Sequence, residues 1–181
     1  FSYRYDYRQE WLRFTNLLAH RDPSLTQEQR SIKALANLVE SPGGALWLRA
    51  DDAYSQAARW NMPRVESVES VDGPFAVFLA KTRWVVDVHE RAGAETRVPE
   101  WLRSLPYAWL VVPVAAQEEM LGFAVLASPR ARIEMNWEVR DLLKTAARQV
   151  GSFLPQVRAS EALLEARKLE SFSKMTAFVV H

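Results

Sequence analysis

Histidines are the residues of this 181-residue chain whose chemistry is most specific. There are three of them and no cysteine, which excludes disulfides, thiolate metal sites, cysteine nucleophiles and thioether-linked chromophores. His89 follows an apolar run beside Asp87 and Glu90, and imidazole is a common metal or haem ligand. His20 is the only other histidine before the last residue, and neither stands at a ligand spacing. We therefore expect no metal site and interpret both as surface or satisfied structural residues.

Paired carboxylates and paired glycines give no catalytic motif. Asp51-Asp52 and Glu118-Glu119 lie in expected turns, where solvated charge is the ordinary use, and a glycosidase-like role has no support. Gly43-Gly44 lacks the Lys-Ser/Thr that follows in a phosphate-binding loop. The formal net charge of +1, without a basic run, argues against nucleic acid as a partner. No apolar run approaches the ~20 residues of a membrane span.

The last residue, His181, ends the stretch SFSKMTAFVVH. At about 100° per helical residue, His181 falls about 180° from Phe172, on the side of Lys174 and Ala177. An exposed and largely neutral imidazole could attack the γ-phosphate of ATP, as a phosphoacceptor does. From the residues alone, a terminal histidine is more often incidental, the result of an arbitrary chain end.

The opposite face of this terminal helix is apolar. Within about 60° of Phe172 it gathers Leu169, Met175, Thr176 and Val179. Further back, Glu161, Glu165 and Lys168 interrupt the stripe. A weak coiled-coil seam of this kind suits a dimeric rod that toggles between two packings, and a solvated single helix is the alternative.

Two helices open the chain and would support whatever follows. The spacing of Trp11, Phe14 and Leu18 predicts a helix over residues 9–20. Thr26, with Gln29 three residues later, predicts the capping box of a second helix, which SPGG at 41–44 ends.

Strand patterns then alternate with one short helix. GALWLRADDAYSQAARW predicts two strands around Asp51-Asp52, and VDGPFAVFLAKT predicts a short helix with Pro74 in its first turn. RWVVDVHE predicts a third strand, PEWLRSLP a loop with at most one helical turn, and WLVVPVAAQEEMLGFAVLA a hairpin. Asn136 is expected to cap a long helix that Pro155 kinks or interrupts. This order predicts an α+β fold with an antiparallel sheet.

Three stretches carry a resemblance to a known family. SPGGALWLRADD, the hairpin VVPVAAQEEMLGFAVLASPR and the exit helix resemble a GAF domain from about residue 9 to 154. YRYDYRQEWLRF and KLESFSKMTAFVVH are similar to the sensor histidine kinase of the PEP-CTERM system. The resemblance implies a GAF-like antiparallel sheet flanked by helices, with a long C-terminal signalling helix. It divides the chain into a membrane-proximal arm (1–8), a sensory domain (9–154) and a connecting helix with the start of the phosphoacceptor helix (155–181).

The resemblance also implies a function for the longer protein from which such a fragment would be cut. That protein would be a membrane-bound two-component histidine kinase, with the fragment itself soluble, non-enzymatic and on the cytoplasmic side of the inner membrane. His181 would be the phosphoacceptor, while ATP and Mg²⁺ would bind in the missing kinase domain and no cofactor in the fragment. The partners would be a second copy and a response regulator, with no nucleic acid and with membrane contact only through the missing N-terminal region. The alternative is a non-enzymatic, ligand-binding GAF domain of another signalling protein.

GAF domains hold ligands between the sheet and the short helices and loops that cover one face. Here the expected lining of such a cavity, for an unknown small molecule, is Trp60, Phe75, Phe78, Leu79, Trp84, Trp101 and Trp109. The other interpretation is that these residues simply pack together. No Asn-Lys-Phe-Asp-Glu-like motif of cyclic-nucleotide-binding domains is present, and the absent cysteine excludes GAF-type sulfoxide reductase chemistry.

Overall fold

The structure, a computed structural model, describes residues 6–90, 97–131 and 133–180, without the side chains of 156–158, 160–161 and 177–180. Its elements follow in the order α1 Tyr7–Ala19, α2 Gln27–Leu38, β1 Gly44–Ala50, β2 Ala53–Trp60, β3 Glu69–Ser70, α3 Pro74–Thr82, β4 Val86–Asp87, α4 Glu100–Arg103, β5 Ala108–Ala116, β6 Glu119–Ala127 and α5 Trp137–Val180.

The strands form one six-stranded sheet in the order β3-β2-β1-β6-β5-β4, and the strand pairs are antiparallel. The predicted α+β fold with an antiparallel sheet and flanking helices is therefore confirmed. The strand predicted over RWVVDVHE is shortened to Val86–Asp87. Arg83 still caps α3 with φ 56°, and a turn in which Glu90 N donates to Asp87 O at 3.2 Å follows the strand. The two-residue strand β3 was not predicted at all. Short edge strands of this kind leave few unpaired main-chain groups for another chain to pair with.

Both faces of the sheet are covered. The helix face packs against α2 and α5, with α1 against both helices. The loop face packs against α3, α4 and the segments that connect them to the strands. Burial on both sides explains why β5 and β6 read as nearly continuous apolar runs rather than as alternating strands.

Local sequence signals set the helix starts as predicted. The capping box of α2 is present, with Gln29 N donating to Thr26 Oγ1 at 3.1 Å and Thr26 N to Gln29 Oε1 at 3.0 Å. Asn136 Oδ1 accepts from Val139 N at 3.0 Å at the start of α5. An interruption at Pro155 does not occur, since α5 is continuous through it. Proline removes only one main-chain hydrogen bond there, and the flanking turns maintain the helix. None of the helices in the described ranges has the length and apolar character needed to cross a membrane.

Candidate functional site

The seven residues expected to line one cavity lie in three different places. Four of them lie on the loop face: Phe75, Phe78, Leu79 and Trp101. Trp109 is buried in the helix-face core, and Trp60 packs against that same core. Trp84 is 39% exposed and stacks with side chains of α5. The structure therefore brings only the first group together, and a small-molecule site formed by that group stays a prediction.

Two β-bulges explain the displaced tryptophans. The pairing register of β5 with β6 shifts between Ala108 and Leu110, so that Trp109 and Leu110 both pack in the helix-face core. The register of β1 with β2 shifts between Leu46 and Trp47, which moves Trp60 to the helix face as well. A bulge reverses the alternation of side chains along a strand, and simple alternation from the sequence cannot anticipate it.

Packed aromatic rings fill the centre of the loop face. Trp47 and Phe123 are directly paired across β1 and β6, and their rings stack at 5.8 Å with 7° between their planes. Trp101 lies 5.4 Å from Trp47, and Tyr54 and Phe75 meet Phe123 edge-on at 5.8 and 6.3 Å. Such offset and edge-to-face pairs each contribute about 0.5–1.5 kcal/mol beyond area burial. The rings occupy the space that a ligand at the centre of this face would need.

Polar groups border this aromatic cluster. Trp47 Nε1 donates to Ser67 O at 3.0 Å. The indole nitrogen of Trp101 is buried near the Glu69 carboxyl, but the two groups do not form a hydrogen bond of ordinary length and angle, so the nitrogen has no partner among the described residues. Burial raises the pKa of the nearby Glu69, while the Trp101 indole lowers it by a smaller amount. Trp101 and Glu69 are thus a donor and an acceptor at the border of the loop-face core.

The histidines have structural partners where they are described. Nδ1 of His20 donates to Asn16 O at 2.8 Å, and Nε2 of His89 donates to Ala108 O at 3.0 Å. Within the described ranges, no group of three His, Cys, Asp or Glu side chains is placed to hold a metal ion. His181 lies outside the described residues.

A cluster that the sequence did not reveal joins the sheet edge to α5. The buried guanidinium of Arg140 donates to Val85 O, and its Nη2 donates to Glu90 Oε2 at 3.1 Å. The same guanidinium lies 4.5 Å from the centroid of the Trp84 ring, and Lys144 Nζ lies 5.1 Å from that centroid. Arg140 is 50 and 55 positions from its partners Glu90 and Val85, so no local pattern predicts the contact. The cluster fixes the first turns of α5 against the strand β4.

The second half of α5 has a different environment from the first. Up to Leu154 the predicted stripe faces the sheet, with Val139, Leu143, Ala146, Val150 and Leu154 buried. Beyond that point large apolar side chains are mostly exposed: Leu163, Leu164, Leu169, Phe172 and Met175. Exposed apolar groups at this density usually mark an interaction surface.

The match to a known protein family ends at the residue where the packing of α5 changes. The family model described as the GAF domain matches residues 29–154. The chain belongs to the GAF domain family. A search of curated proteins finds no match. The described part of α5 that follows the family match is the part with exposed apolar side chains.

Solved structures share the GAF fold at low sequence identity. A bacteriophytochrome from the photosynthetic bacterium R. palustris is 10% identical with a TM-score of 0.66, and the match covers 91% of this chain but only 40% of that one. The GAF domain of a phosphoenolpyruvate-protein phosphotransferase from Coxiella burnetii is 13% identical with a TM-score of 0.63, covering 86% and 96%. The reduced form of fRMsr from Staphylococcus aureus is 10% identical with a TM-score of 0.59, covering 82% and 95%. These likenesses concern the fold.

Proposed function

We propose that this chain is the sensory and dimerisation region of a membrane-bound two-component sensor histidine kinase. Its GAF domain would receive the signal, and α5 would relay it to the phosphoacceptor His181. GAF domains are signalling and sensory domains, and this chain combines one with a long helix that leaves it. The division into an arm (1–8), a sensory domain (9–154) and a connecting helix (155–181) belongs to this proposal.

The exposed apolar seam on α5 carries the proposal. We define the seam as Leu169, Phe172 and Met175, whose side chains are 63, 70 and 67% exposed. They share one side of the helix, within about 60° of Phe172. The ion pair between Glu170 and Lys174, at 3.5 Å, lies on the other side. Pairing with the same seam of a second copy would remove these side chains from water, as in a coiled coil.

Two contacts support the idea that α5 transmits movements of the sheet. Arg140 fixes the start of the helix to Val85 and Glu90. At Gly151 the helix backbone lies so close to β5 that an added Cβ would stand 1.8 Å from Ala115 O. A helix held so closely at both points would shift with the sheet, and discrete shifts of packed helices are a common switching device.

In this proposal the chain contributes the helix that presents the histidine, while ATP and Mg²⁺ belong to a catalytic domain outside it. The test uses the full-length kinase with labelled ATP. His181→Gln should abolish phosphate incorporation, while the control His20→Gln, which changes an exposed histidine at the end of α1, should leave it intact. Normal autophosphorylation of His181→Gln would refute the phosphoacceptor assignment.

A ligand-binding GAF domain of another signalling protein is the second candidate. It is favoured by the buried indole nitrogen of Trp101, which has no partner among the described residues, and by the acceptor Glu69 nearby. Buried donors are usually satisfied, and a ligand carbonyl or hydroxyl would satisfy this one. Native mass spectrometry of the purified protein should then show a bound small molecule that Trp101→Phe loses. A spectrum of unliganded protein alone would count against this function.

A further inference from the structure

A cavity of about 610 Å³ opens at the edge of the sheet, away from the loop-face core. Its walls are the C-terminal end of α3, the turn between β5 and β6, and one side of α5. Four cationic residues line it: Lys81, Arg83, Lys144 and Arg148. We call it the basic cleft. Two of these residues are more than sixty positions from the other two along the chain, so only the fold brings them together.

The charge of the basic cleft is poorly balanced from within. Among the described residues, Glu118 is the one acidic residue that lines it, against the four cations. The carbonyl oxygen of Glu118 accepts from Arg83 Nη2 at 2.7 Å. Lys144 is held over the ring of Trp84. An anion in the cleft would relieve the mutual repulsion of these cations, and the partly enclosed position weakens the screening by solvent and salt.

Arg83 holds its positive charge in a fixed position at the wall of the basic cleft. Its backbone is in the left-handed region at φ 56°, which is uncommon for residues other than glycine. Its Nε donates to Ala80 O at 2.9 Å and its Nη2 to Glu118 O, so the guanidinium is fixed at two points. The third nitrogen, Nη1, is buried without a hydrogen-bond partner among the described residues. Because Nη1 is shielded from solvent, Arg83 acts on an anion in the cleft through its fixed positive charge, and the exposed Lys81 and Arg148 provide the open donors.

We propose that the basic cleft binds a small soluble molecule that carries a diphosphate group. Guanidinium and ammonium groups are the groups that proteins use to bind phosphate oxygens, and the lining of the cleft contains two of each. The volume lies within the range of small-molecule sites, roughly 300–1,000 Å³, and exceeds what a single inorganic ion fills. The ligand would contact α3, the β5–β6 turn and α5 at once. It would thereby stabilise the docking of α5 on the sheet, whether or not the chain is part of a kinase.

The experiment is a calorimetric titration of the protein with sodium pyrophosphate, at constant ionic strength maintained with chloride. One saturable site is expected. The double variant Lys81→Gln/Arg148→Gln should weaken binding about tenfold or more, because it removes two charge-assisted contacts. The matched control is Arg167→Gln/Lys168→Gln, which removes the same charge from exposed positions of α5 beyond the family match and should leave binding unchanged.

Arg83→Gln separates the site from a diffuse charge effect. It should weaken binding severalfold, through loss of the fixed charge, while circular dichroism and thermal unfolding show a folded protein. Absence of binding by the natural sequence at millimolar pyrophosphate would overturn the proposal. Equal weakening by the two double variants would overturn it too, because binding would then follow net charge alone. If Arg83→Gln unfolds the protein, the comparison of the two double variants still decides.

Discussion

Replacing Gly151 by alanine should destabilise the protein, although the same change stabilises most helices. Alanine in a helix interior is ordinarily favoured over glycine by about 1 kcal/mol. Here an added Cβ would stand 1.8 Å from Ala115 O and 2.6 Å from Ala115 C, and both atoms are main chain. Ordinary contact begins at 3.4 Å, so α5 and β5 would have to separate by more than an ångström. The close approach, rather than any special backbone angle, requires the glycine.

The expected cost follows from two opposing effects. Overpacking in a well-packed core typically costs about 1–3 kcal/mol, and this clash is severe because backbone atoms cannot rotate away. After the gain in helix propensity is subtracted, we expect Gly151→Ala to lower the free energy of unfolding by about 2 kcal/mol. In a domain of this size that corresponds to a fall in Tm of about 4–8 °C.

Urea denaturation followed by tryptophan fluorescence measures this change. The control is Ser171→Ala at an exposed position of the same helix, which should raise stability by a few tenths of a kcal/mol at most. If Gly151→Ala is as stable as the natural sequence, the close contact between α5 and the sheet does not exist as described. In that case α5 is not held closely enough to move with the sheet.

Two further predictions concern buried polar groups. Arg140→Met should lower the free energy of unfolding by about 2 kcal/mol, because Val85 O loses its buried donor. Glu90→Gln changes the half-exposed partner of Arg140 and should lower it by less than about 1 kcal/mol. Urea denaturation of the two variants measures the difference. Glu69 has a pKa raised in the folded state, so stability should fall as pH rises from the ordinary carboxyl pKa of 4.5 through the raised value. Thermal unfolding across this pH range should lose that fall in Glu69→Gln, and a variant profile parallel to the natural one would contradict the assignment.

The parts of the fold that were predicted depend on residues close together in the chain. The capping box at Thr26 and Gln29, the cap at Asn136 and the hairpin β5–β6 each have a signal within a few positions. The helical spacing of apolar residues likewise predicted α2 and the buried half of α5. At these elements the local propensity favours the same structure as the tertiary packing, so the sequence alone predicts them.

The parts that were missed depend on contacts between distant segments. The bulge beside Trp109 arises from the pairing of β5 with β6, and without it that ring would face the aromatic cluster. The stacking of Arg140 on Trp84 and the convergence of Lys81 with Arg148 join segments that only the folded chain brings together. The apolar seam at Phe172 was predicted from its spacing, but a single sequence carries no signal for a partner that would cover it.

The central claim is that the exposed seam of α5 pairs two copies of this chain, and sedimentation equilibrium tests it most directly. The natural sequence should be a reversible dimer. Met175→Glu should weaken association at least about a hundredfold, because each of the two copies loses a buried methionine worth about 1.5–3 kcal/mol and gains a charge. Ser173→Glu adds the same charge about 100° from Phe172, off the seam, and should leave the dissociation constant unchanged. If Met175→Glu and Ser173→Glu dissociate at the same concentration as the natural sequence, the seam is not the interface and the account is contradicted.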